Sequence, residues 1–267
     1  MSLKFPGSLW QNRELWWRLT QREVLGRYRG SVLGIGWSFI TPLAMLAVYT
    51  FVFSQVFKAR WGGLEQLGPF GFAVNLFAGL IVFNLFSECV SRAPSLVVSN
   101  PNYVKKVVFP LEVLGSVAVG SAVFHAITSF VILLVFELIA FHKLPITMAW
   151  LPLVWLPLLF LSLSCTWVLS AAGVFLRDLG QLIAVGLNML MFLSPIFFPV
   201  SALPAKWQPF LAINPLAHVI EQTRRIALEG LNPDWSYVII GSIFGFLACE
   251  LSYRTFQKSK RAFADVL

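Results

Sequence analysis

Few side chains in this chain are able to move a proton or hold an ion inside an apolar environment. His125 lies within a long uncharged stretch, and Glu137, at the end of that stretch, lies twelve positions after His125. On a helix this separation is about three turns, so the two groups are too far apart to form a coupled pair. We therefore expect His125 to be held by Thr128 or Ser129, and Glu137 to lie at the outer end of its span.

The motifs of nucleotide, metal and acyl-transfer chemistry do not occur. The chain contains no G-x-x-x-x-G-K-[ST] loop, no H-E-x-x-H pair and no G-x-S-x-G turn. Cys89, Cys165 and Cys249 are widely spaced and are interpreted as small buried apolar residues. We expect no catalytic residue, no metal site and no cofactor in this chain, so that any energy for its work comes from an ATPase partner.

Composition and charge spacing indicate an all-α integral membrane protein. The chain has 267 residues, of which 58% are hydrophobic and 12% charged, about half the charge of an ordinary soluble domain. A span needs about 20 apolar residues, and the uncharged stretches cover 30–57, 66–87, 113–136, 144–176, 179–205 and 235–249. We predict six transmembrane helices. The last is the least certain, because it needs Glu250 at its end and residues 251–253 to complete the span.

The distribution of lysine and arginine predicts the orientation. With six spans, one side of the membrane holds 14 of the basic residues and the other side holds 6. Cytoplasmic loops carry the excess, so both termini are expected in the cytoplasm. The net charge of +8 is then mostly a topology signal, and no nucleic-acid partner is expected. No cleavable signal peptide is predicted, since the first apolar run begins only after 29 residues.

The first 29 residues form a segment of their own, followed by a transmembrane domain over 30–267. Their apolar residues, with Trp10, Trp16 and Trp17 among them, share one helical arc, while Arg18 and Arg22 lie on another. This predicts an amphipathic helix in the cytoplasmic interface, which serves either as a lipid anchor or as a docking surface for a cytosolic protein.

Glycines recur at a spacing of four residues in two places. Gly26, Gly30 and Gly34 lie where the interfacial helix meets the first span, and Gly241 and Gly245 lie in the last span. Such spacing lets a second helix approach closely. A bend between two helices explains it equally well.

Two connecting segments carry further signals. The cytoplasmic loop 88–112 contains a strong turn at 100–102 followed by exposed Tyr103, Lys105 and Lys106, which form either a solvated loop or a short helix presented to a partner. The outer segment 206–234 is too apolar for a free loop and too interrupted for a span. We predict two short re-entrant helices there, the second starting at Asn214-Pro215 and ending before Gly230.

Prolines make the fourth and fifth spans irregular. Pro152 and Pro157 lie in the fourth, and Pro195, Pro199 and Pro204 follow the fifth. A broken helix at membrane depth is tolerated where it lines a cavity. The mouth of a pathway is one interpretation, and a helix that simply ends at the interface is the other.

Short motifs distributed in order over nearly the whole chain resemble the permease subunit of type-two ABC polysaccharide exporters. They are YRGSVLG at 28–34, Trp37, TPL at 41–43, VVFP at 107–110, SPIFFP at 194–199 and NPL at 214–216. Within that family the sequence is most similar to the O-antigen lipopolysaccharide exporter permeases, with capsule and teichoic acid exporter permeases as relatives.

The resemblance implies a homodimer joined to two copies of a cytosolic ATP-binding subunit, which would bind ATP and Mg²⁺. It also implies a multi-pass protein of the inner membrane of a Gram-negative bacterium. The substrate would be a polysaccharide on an undecaprenyl diphosphate lipid, moved from cytoplasm to periplasm through a channel at the dimer interface, with spans one and five contributing.

The same resemblance assigns expected roles to individual residues. The ATPase-coupling residues are Arg18, Arg22, Asn100, Pro101, Tyr103, Lys105 and Lys106. The lipid diphosphate entrance is Arg27 and Arg29, because a guanidinium matches phosphate oxygens. The channel lining is Trp37, Tyr49, Phe53, Asn188 and Phe192, and the outer gate is Pro195, Pro199, Asn214 and Pro215.

Other functions stay open from the residues alone. A small-molecule exporter would have a lipid-sized cavity without a continuous channel. An intramembrane glycosyl- or acyltransferase would need an acid or histidine at a membrane face, for which only His218 and Glu221, one helical turn apart, could serve. A non-transporting scaffold would tolerate bulk in the channel.

Overall fold

A computed structural model describes residues 4–56, 70–105, 109–142, 144–200 and 203–266. Within those ranges the regular elements are helical and no strand occurs. The α-helices are α1 (Phe5–Gln11), α2 (Arg13–Arg27), α3 (Trp37–Tyr49), α4 (Gly71–Leu96), α5 (Pro101–Lys105), α6 (Glu112–Phe141), α7 (Leu151–Val154), α8 (Leu156–Phe175), α9 (Leu179–Phe192), α10 (Gln208–Ile213), α11 (Pro215–Ala227), α12 (Trp235–Ser259) and α13 (Phe263–Val266). The prediction of an all-helical protein is confirmed.

Five helical segments of the described chain are long and apolar enough to cross a membrane. They are Gly34–Phe53, Gly71–Leu96, Glu112–Ala140, Ile146–Phe175 and Trp235–Ala262. The first combines a 3-10 turn (Gly34–Gly36), α3 and a π-helical segment (Thr50–Val56).

The structure supports the sixth predicted span better than the fifth. The helix of the predicted fifth span, α9, ends at Phe192 after 14 residues, which is short for a bilayer core. Ser194 and Pro195 follow it, and proline cannot continue a helix. The sixth prediction, by contrast, is met by a helix of 25 residues that runs past Glu250 to Ser259.

Helix α4 lies at the centre of the bundle. Each residue from 71 to 83 is buried, and α4 packs against α6, α8, α9 and α11. Its sequence has no charged residue before Glu88. A helix that is apolar on all sides is buried on all sides, so the other helices are arranged around α4.

Small residues allow the closest helix contacts. A Cβ at Gly173 of α8 would lie 2.2 Å from the Pro94 carbonyl oxygen of α4, and one at Gly245 of α12 would lie 2.9 Å from the Phe160 Cβ of α8. A Cβ at Gly241 would meet the Pro157 Cβ at 3.2 Å. The close-approach interpretation of Gly241 and Gly245 is therefore confirmed.

The glycines before the first span have a different use. Gly30 and Gly34 have φ of 86° and 51°, and a Cβ at Gly26, Gly30 or Gly34 would meet no described atom within 4 Å. Positive φ values suit glycine. Gly30 and Gly34 form the bend between α2 and the first span, as the second interpretation proposed, whereas Gly26 lies within α2.

The predicted single helix before that bend is two helices, separated at Asn12. Glu250 Oε2 accepts hydrogen bonds from the backbone N–H groups of Lys4 and Phe5 at 3.1 and 3.2 Å. The Phe5 ring is buried, with its centroid 6.0 Å from that of Trp167. Helix α1 is thus inserted among α8 and α12, because a buried carboxylate of the last span needs donors.

The predicted irregularity of the fourth span and the two short helices before the last span are confirmed. A 3-10 turn (Ile146–Trp150) and α7 precede α8, and Pro152 and Pro157 each occupy the first turn of a helix, where proline is tolerated. Helix α11 starts after Asn214, whose Oδ1 accepts from the Leu216 N–H at 3.0 Å.

Substitution of the packing glycine of α8 tests this arrangement. Gly173→Ala would place a methyl group against the backbone of Pro94, and overpacking of this kind costs about 1–3 kcal/mol. We expect a lower unfolding temperature in detergent and less protein in the membrane. In the control Gly186→Ala of α9, where a Cβ meets no described atom within 4 Å, stability should be unchanged or rise by about 0.5–1 kcal/mol. Equal unfolding temperatures for both variants would contradict the packing.

Candidate functional site

A polar cleft opens between the first span, α4 and α6, next to the end of α2. Its volume is about 520 Å³. Three of the residues with predicted roles line it, namely Arg27, Trp37 and Tyr49. Other lining residues were not predicted, and those with polar side chains are Ser38, Thr41, Asn84, Ser87, Glu88, Ser91, Arg92, His125 and Ser129, together with Tyr28.

Glu88 is the electrostatic centre of this cleft. Arg27 Nη1 lies 2.5 Å from Glu88 Oε1, His125 Nδ1 lies 3.0 Å from both carboxylate oxygens, and Arg92 Nη1 lies 3.9 Å from Oε1. Arg92 is also paired with Glu23 of α2. Three basic groups from α2, α4 and α6 thus converge on one carboxylate, which ties the end of α2 to the bundle.

The expected surroundings of His125 are corrected by this geometry. The hydroxyls of Thr128 and Ser129 donate to the backbone carbonyl of His125, at 2.9 and 2.8 Å, and not to its ring. These bonds are local to the helix, which is where threonine and serine hydroxyls reach backbone carbonyls. The ring faces Glu88 because α4 and α6 pack side by side, a contact that sequence spacing within α6 could not reveal.

The other residues predicted for the substrate path lie elsewhere. Arg29 is exposed at the bend, and the Phe53 ring stacks on Phe72 with centroids 4.8 Å apart. Asn188 and Phe192 are exposed on α9, where the Phe192 ring stacks on Phe197 at 5.5 Å. In the single chain the cleft is therefore lined by the predicted residues Trp37 and Tyr49 of the first span, but not by the predicted residues of α9.

Of the residues predicted to couple to an ATPase, Arg22, Asn100 and Tyr103 line one pocket together with Glu23 and Arg92. The short helix α5 occupies the loop where a helix was one of two interpretations, and Asn100 Nδ2 donates to the Leu96 carbonyl at 2.9 Å. Arg22 Nη2 donates to the Tyr103 hydroxyl at 3.0 Å. Pro101, Arg18 and Lys105 are exposed, and Lys106 lies outside the described residues.

At the other end of the bundle, Arg224 of α11 makes a connection that sequence reasoning missed. Its guanidinium donates to the backbone carbonyls of Asn75 (3.0 Å), Pro195 (2.6 Å) and Ile196 (3.0 Å), and the side chain is 3% exposed. Burial lowers the pKa of Arg224 to about 10, so it remains charged at neutral pH. Arg224 thus joins α11, α4 and the segment after α9.

The residues predicted as an outer gate belong to this neighbourhood. Asn214 Nδ2 donates to Ser194 Oγ at 3.0 Å, and Pro195 supplies a carbonyl to Arg224. Pro215 is exposed in the first turn of α11 and Pro199 is half-buried. A sequence signal for Arg224 did exist, since it lies four and eight positions after the buried Ile220 and Leu216 on the apolar face of α11.

The two side chains proposed as the acid–base pair of a transferase each contact a further side chain. The His218 ring stacks on Tyr237 with centroids 4.6 Å apart, and Glu221 Oε1 lies 3.8 Å from Arg224 Nη1. Burial raises the pKa of Glu221. Among the residues that the structure describes, no group of three or more His, Cys, Asp or Glu side chains could hold a metal ion.

Comparison with known proteins identifies a family and several relatives that match most of the chain. Residues 14–228 match the ABC-2 type transporter family. The chain is 24% identical over 268 residues to the O-antigen export system permease protein RfbA of Klebsiella pneumoniae, covering 100% of both chains. It is 28% identical over 266 residues to the protein of the same name from Myxococcus xanthus, covering 98% of this chain and 99% of the relative. It is also 25% identical over 237 residues to the polysialic acid transport protein KpsM of Escherichia coli, covering 85% of this chain and 84% of the relative.

Removal of the buried guanidinium tests the connection made by Arg224. Arg224→Met removes the donor from the carbonyls of Pro195 and Ile196, which lie outside any helix, and a second donor from the Asn75 carbonyl of α4. Each orphaned group costs about 1–3 kcal/mol. We expect a large fall in the unfolding temperature in detergent and faster proteolysis after residue 192. Arg225→Met is the matched control, because Arg225 is exposed and bonds only locally to Asn232 among the contacts described. A variant Arg224→Met as stable as this control would contradict the structural role.

Proposed function

Since the chain belongs to the ABC-2 type transporter family, we propose that it is the membrane-spanning subunit of an ATP-driven polysaccharide exporter. The cargo is a polysaccharide, best matched by O-antigen, carried on an undecaprenyl diphosphate lipid. It moves from the cytoplasm to the periplasm across the inner membrane of a Gram-negative bacterium. The observation that carries the proposal is the similarity to O-antigen export permeases over 98–100% of this chain.

The proposed channel forms between two copies of the chain. Most of the first span is exposed in a single chain, and so is most of α9. Exposed aromatic faces can contact sugar C–H surfaces without a deep binding well. The proposed lining is Trp37, Tyr49 and Phe53 of the first span with Asn188 and Phe192 of α9, brought together by a second copy.

The proposed energy source is a separate ATP-binding subunit, present in two copies, which also holds Mg²⁺. Its docking surface is formed by Arg18 and Arg22 of α2 and by the loop around α5, with Asn100, Pro101, Tyr103, Lys105 and Lys106. The contact between Arg22 and Tyr103 supports this assignment, because a push on α5 would reach α2 and through it the cleft.

The proposed topology has six spans with both termini in the cytoplasm. Helix α9 and the segment after it make the fifth crossing, and α10 and α11 re-enter from the periplasmic side without crossing. Pro195, Pro199, Asn214 and Pro215 then form the outer gate. Residues 1–29 are the interfacial segment and residues 206–234 the re-entrant region. The coupling loop predicted over 88–112 is the part of that range between the end of α4 at Leu96 and the start of α6 at Glu112.

A capsule exporter is the second candidate. It is favoured by the similarity to a polysialic acid transport protein over 85% of this chain. The two candidates share the same membrane subunit architecture and differ in the polymer that the cell makes, so a cellular experiment separates them.

Depletion of this protein in its own cell tests the proposed export. We expect full-length lipid-linked polysaccharide to accumulate on the cytoplasmic face and to disappear from the cell surface. Fractionated membranes are probed with sugar-specific antibodies or lectins before and after permeabilisation, and complementation with the wild-type gene is the control. Loss of O-antigen alone supports the first candidate, and loss of capsule alone supports the second. Complete absence of polymer would assign the chain to synthesis, and unchanged surface polymer would refute export of polysaccharide.

The two arginines beside the first span provide a second test. Arg27→Ala combined with Arg29→Ala should lower surface polysaccharide several-fold while the ATPase still co-purifies, because phosphate loses its guanidinium partners and the docking surface is unchanged. Arg13→Ala, an exposed arginine at the start of α2, is the control and should export normally. Loss of co-purification in the double variant would instead make these arginines docking residues.

A further inference from the structure

We propose that Arg27, His125 and Arg92 form a binding site for a phosphate-bearing anion, and that the carboxylate of Glu88 occupies this site when no ligand is bound. The inference rests on the proposed function in one respect, since it takes the ligand to be the diphosphate headgroup of the lipid carrier. It adds an internal competitor, and it extends the entrance from Arg27 and Arg29 to groups on α4 and α6.

The charge balance of the cleft supports an anion site. Among the described residues that line it, Glu88 is the one carboxylate, and it faces two guanidinium groups and an imidazole. Glu23, on the far side of Arg92, is the other acidic side chain that reaches the cluster. Without the Glu88 carboxylate the cleft would present Arg27, Arg92 and His125 with one remaining counter-charge. Such an arrangement attracts an anion from outside.

The second observation is a buried nitrogen with no partner. No described atom forms a hydrogen bond with His125 Nε2, although that atom is buried. A buried polar atom without a partner is costly, and its cause is often an absent ligand, ion or water. Because Nδ1 of the same ring already faces Glu88, a ligand oxygen at Nε2 would use the second nitrogen of the imidazole.

The cleft has both the room and the donors for a phosphate group. Its volume of about 520 Å³ is open space beside the Glu88 carboxylate. The hydroxyl of Ser87 and the amide of Asn84 line the same space, whereas the hydroxyls of Ser91 and Ser129 donate to the backbone carbonyls of Glu88 and His125. A diphosphate offers more charge and more acceptor oxygens than one carboxylate, and arginine binds such oxygens with two parallel hydrogen bonds.

When a ligand replaces the Glu88 carboxylate, the side chain that moves is Arg27 and not Glu88. Glu88 is carried by the buried helix α4, and its side chain is 17% exposed. Arg27 ends α2 immediately before the glycine bend, and its side chain is 52% exposed. A ligand that draws Arg27 away from Glu88 would also move the bend that leads into the first span. Binding of the headgroup would in this way be coupled to the position of the first span.

If Glu88 competes with the ligand, neutralising its carboxylate should raise the affinity for the ligand. If Glu88 were merely a structural partner, neutralising it would weaken the cluster and lower affinity for any ligand. If Glu88 occupies the anion site, Glu88→Gln should raise that affinity by about tenfold, since the ligand no longer has to displace a charged carboxylate from the guanidinium groups.

The experiment measures binding to the full-length chain purified in neutral detergent. Farnesyl diphosphate, inorganic pyrophosphate and farnesol are titrated separately, with calorimetry as the readout. We expect Glu88→Gln to bind farnesyl diphosphate about tenfold more tightly than wild type, and Arg27→Gln to abolish that gain in the double variant. Glu14→Gln, which removes an exposed carboxylate of α2 with the same change in net charge, is the control and should match wild type.

Each remaining outcome is decisive. Equal or weaker binding by Glu88→Gln overturns the proposal, and so does farnesol binding as tightly as farnesyl diphosphate. Tighter binding of farnesyl diphosphate than of pyrophosphate supports a lipid headgroup, while equal affinities overturn the link to a lipid. If Glu88→Gln is not monodisperse, Arg27→Gln in the wild-type background decides, because unchanged binding of farnesyl diphosphate there refutes the site.

Failure of this inference and failure of the proposed function give different results. If depletion removes surface polysaccharide but Glu88→Gln gains no affinity, export stands and only the internal competitor is wrong. If Glu88→Gln gains affinity but depletion leaves surface polysaccharide unchanged, the anion site stands and the cargo is wrong.

Discussion

The burial of residues 71–83 of α4 is the constraint on which the rest of the structure depends. These residues carry no charge and are enclosed by other helices. A helix surrounded in this way offers no lateral position for a charged group. Ionic and polar connections are therefore made at its two ends, by the Asn75 carbonyl at one and by Glu88 and Arg92 at the other.

The contacts at the two ends of α4 have different roles. At the Asn75 end, Arg224 donates to the Asn75 carbonyl and to two carbonyls of the irregular chain after α9, which helps a helix to end at Phe192 within the protein. At the Glu88 end, Arg27, Arg92 and His125 are partly exposed and face the carboxylate of Glu88, and Arg92 is also paired with Glu23. The first arrangement stabilises the fold, and the second is the site proposed for an anion.

The elements assigned to transport are those that the single chain buries least. The first span and α9 expose most of their side chains, while α4 and the facing sides of α6 and α8 form the core. A rigid core with a weakly held first span suits a transporter, because the glycine bend and the contact between Arg27 and Glu88 let that span shift without disturbing the packing. The N-terminal segment belongs to both parts, since α1 is anchored by Glu250 and α2 reaches the cleft.

Local information in the sequence was sufficient for the helices and for several of their ends. Gaps between charges located the spans, Asn214 marked the start of α11, and the spacing of Gly241 and Gly245 marked a close helix contact. These features depend on hydropathy and on residues a few positions apart, so they can be read without a fold.

The groupings that make the candidate site were decided by tertiary structure alone. The convergence of Arg27, Glu88 and His125, the insertion of α1 beneath Glu250, and the contacts of Arg224 each join residues that are distant in sequence. Which side chains meet depends on how neighbouring helices are rotated and offset, and a rotation of one residue turns a side chain by about 100°. Sequence periodicity specifies the apolar face of a helix but not the partner that this face, or the polar groups at its ends, will meet.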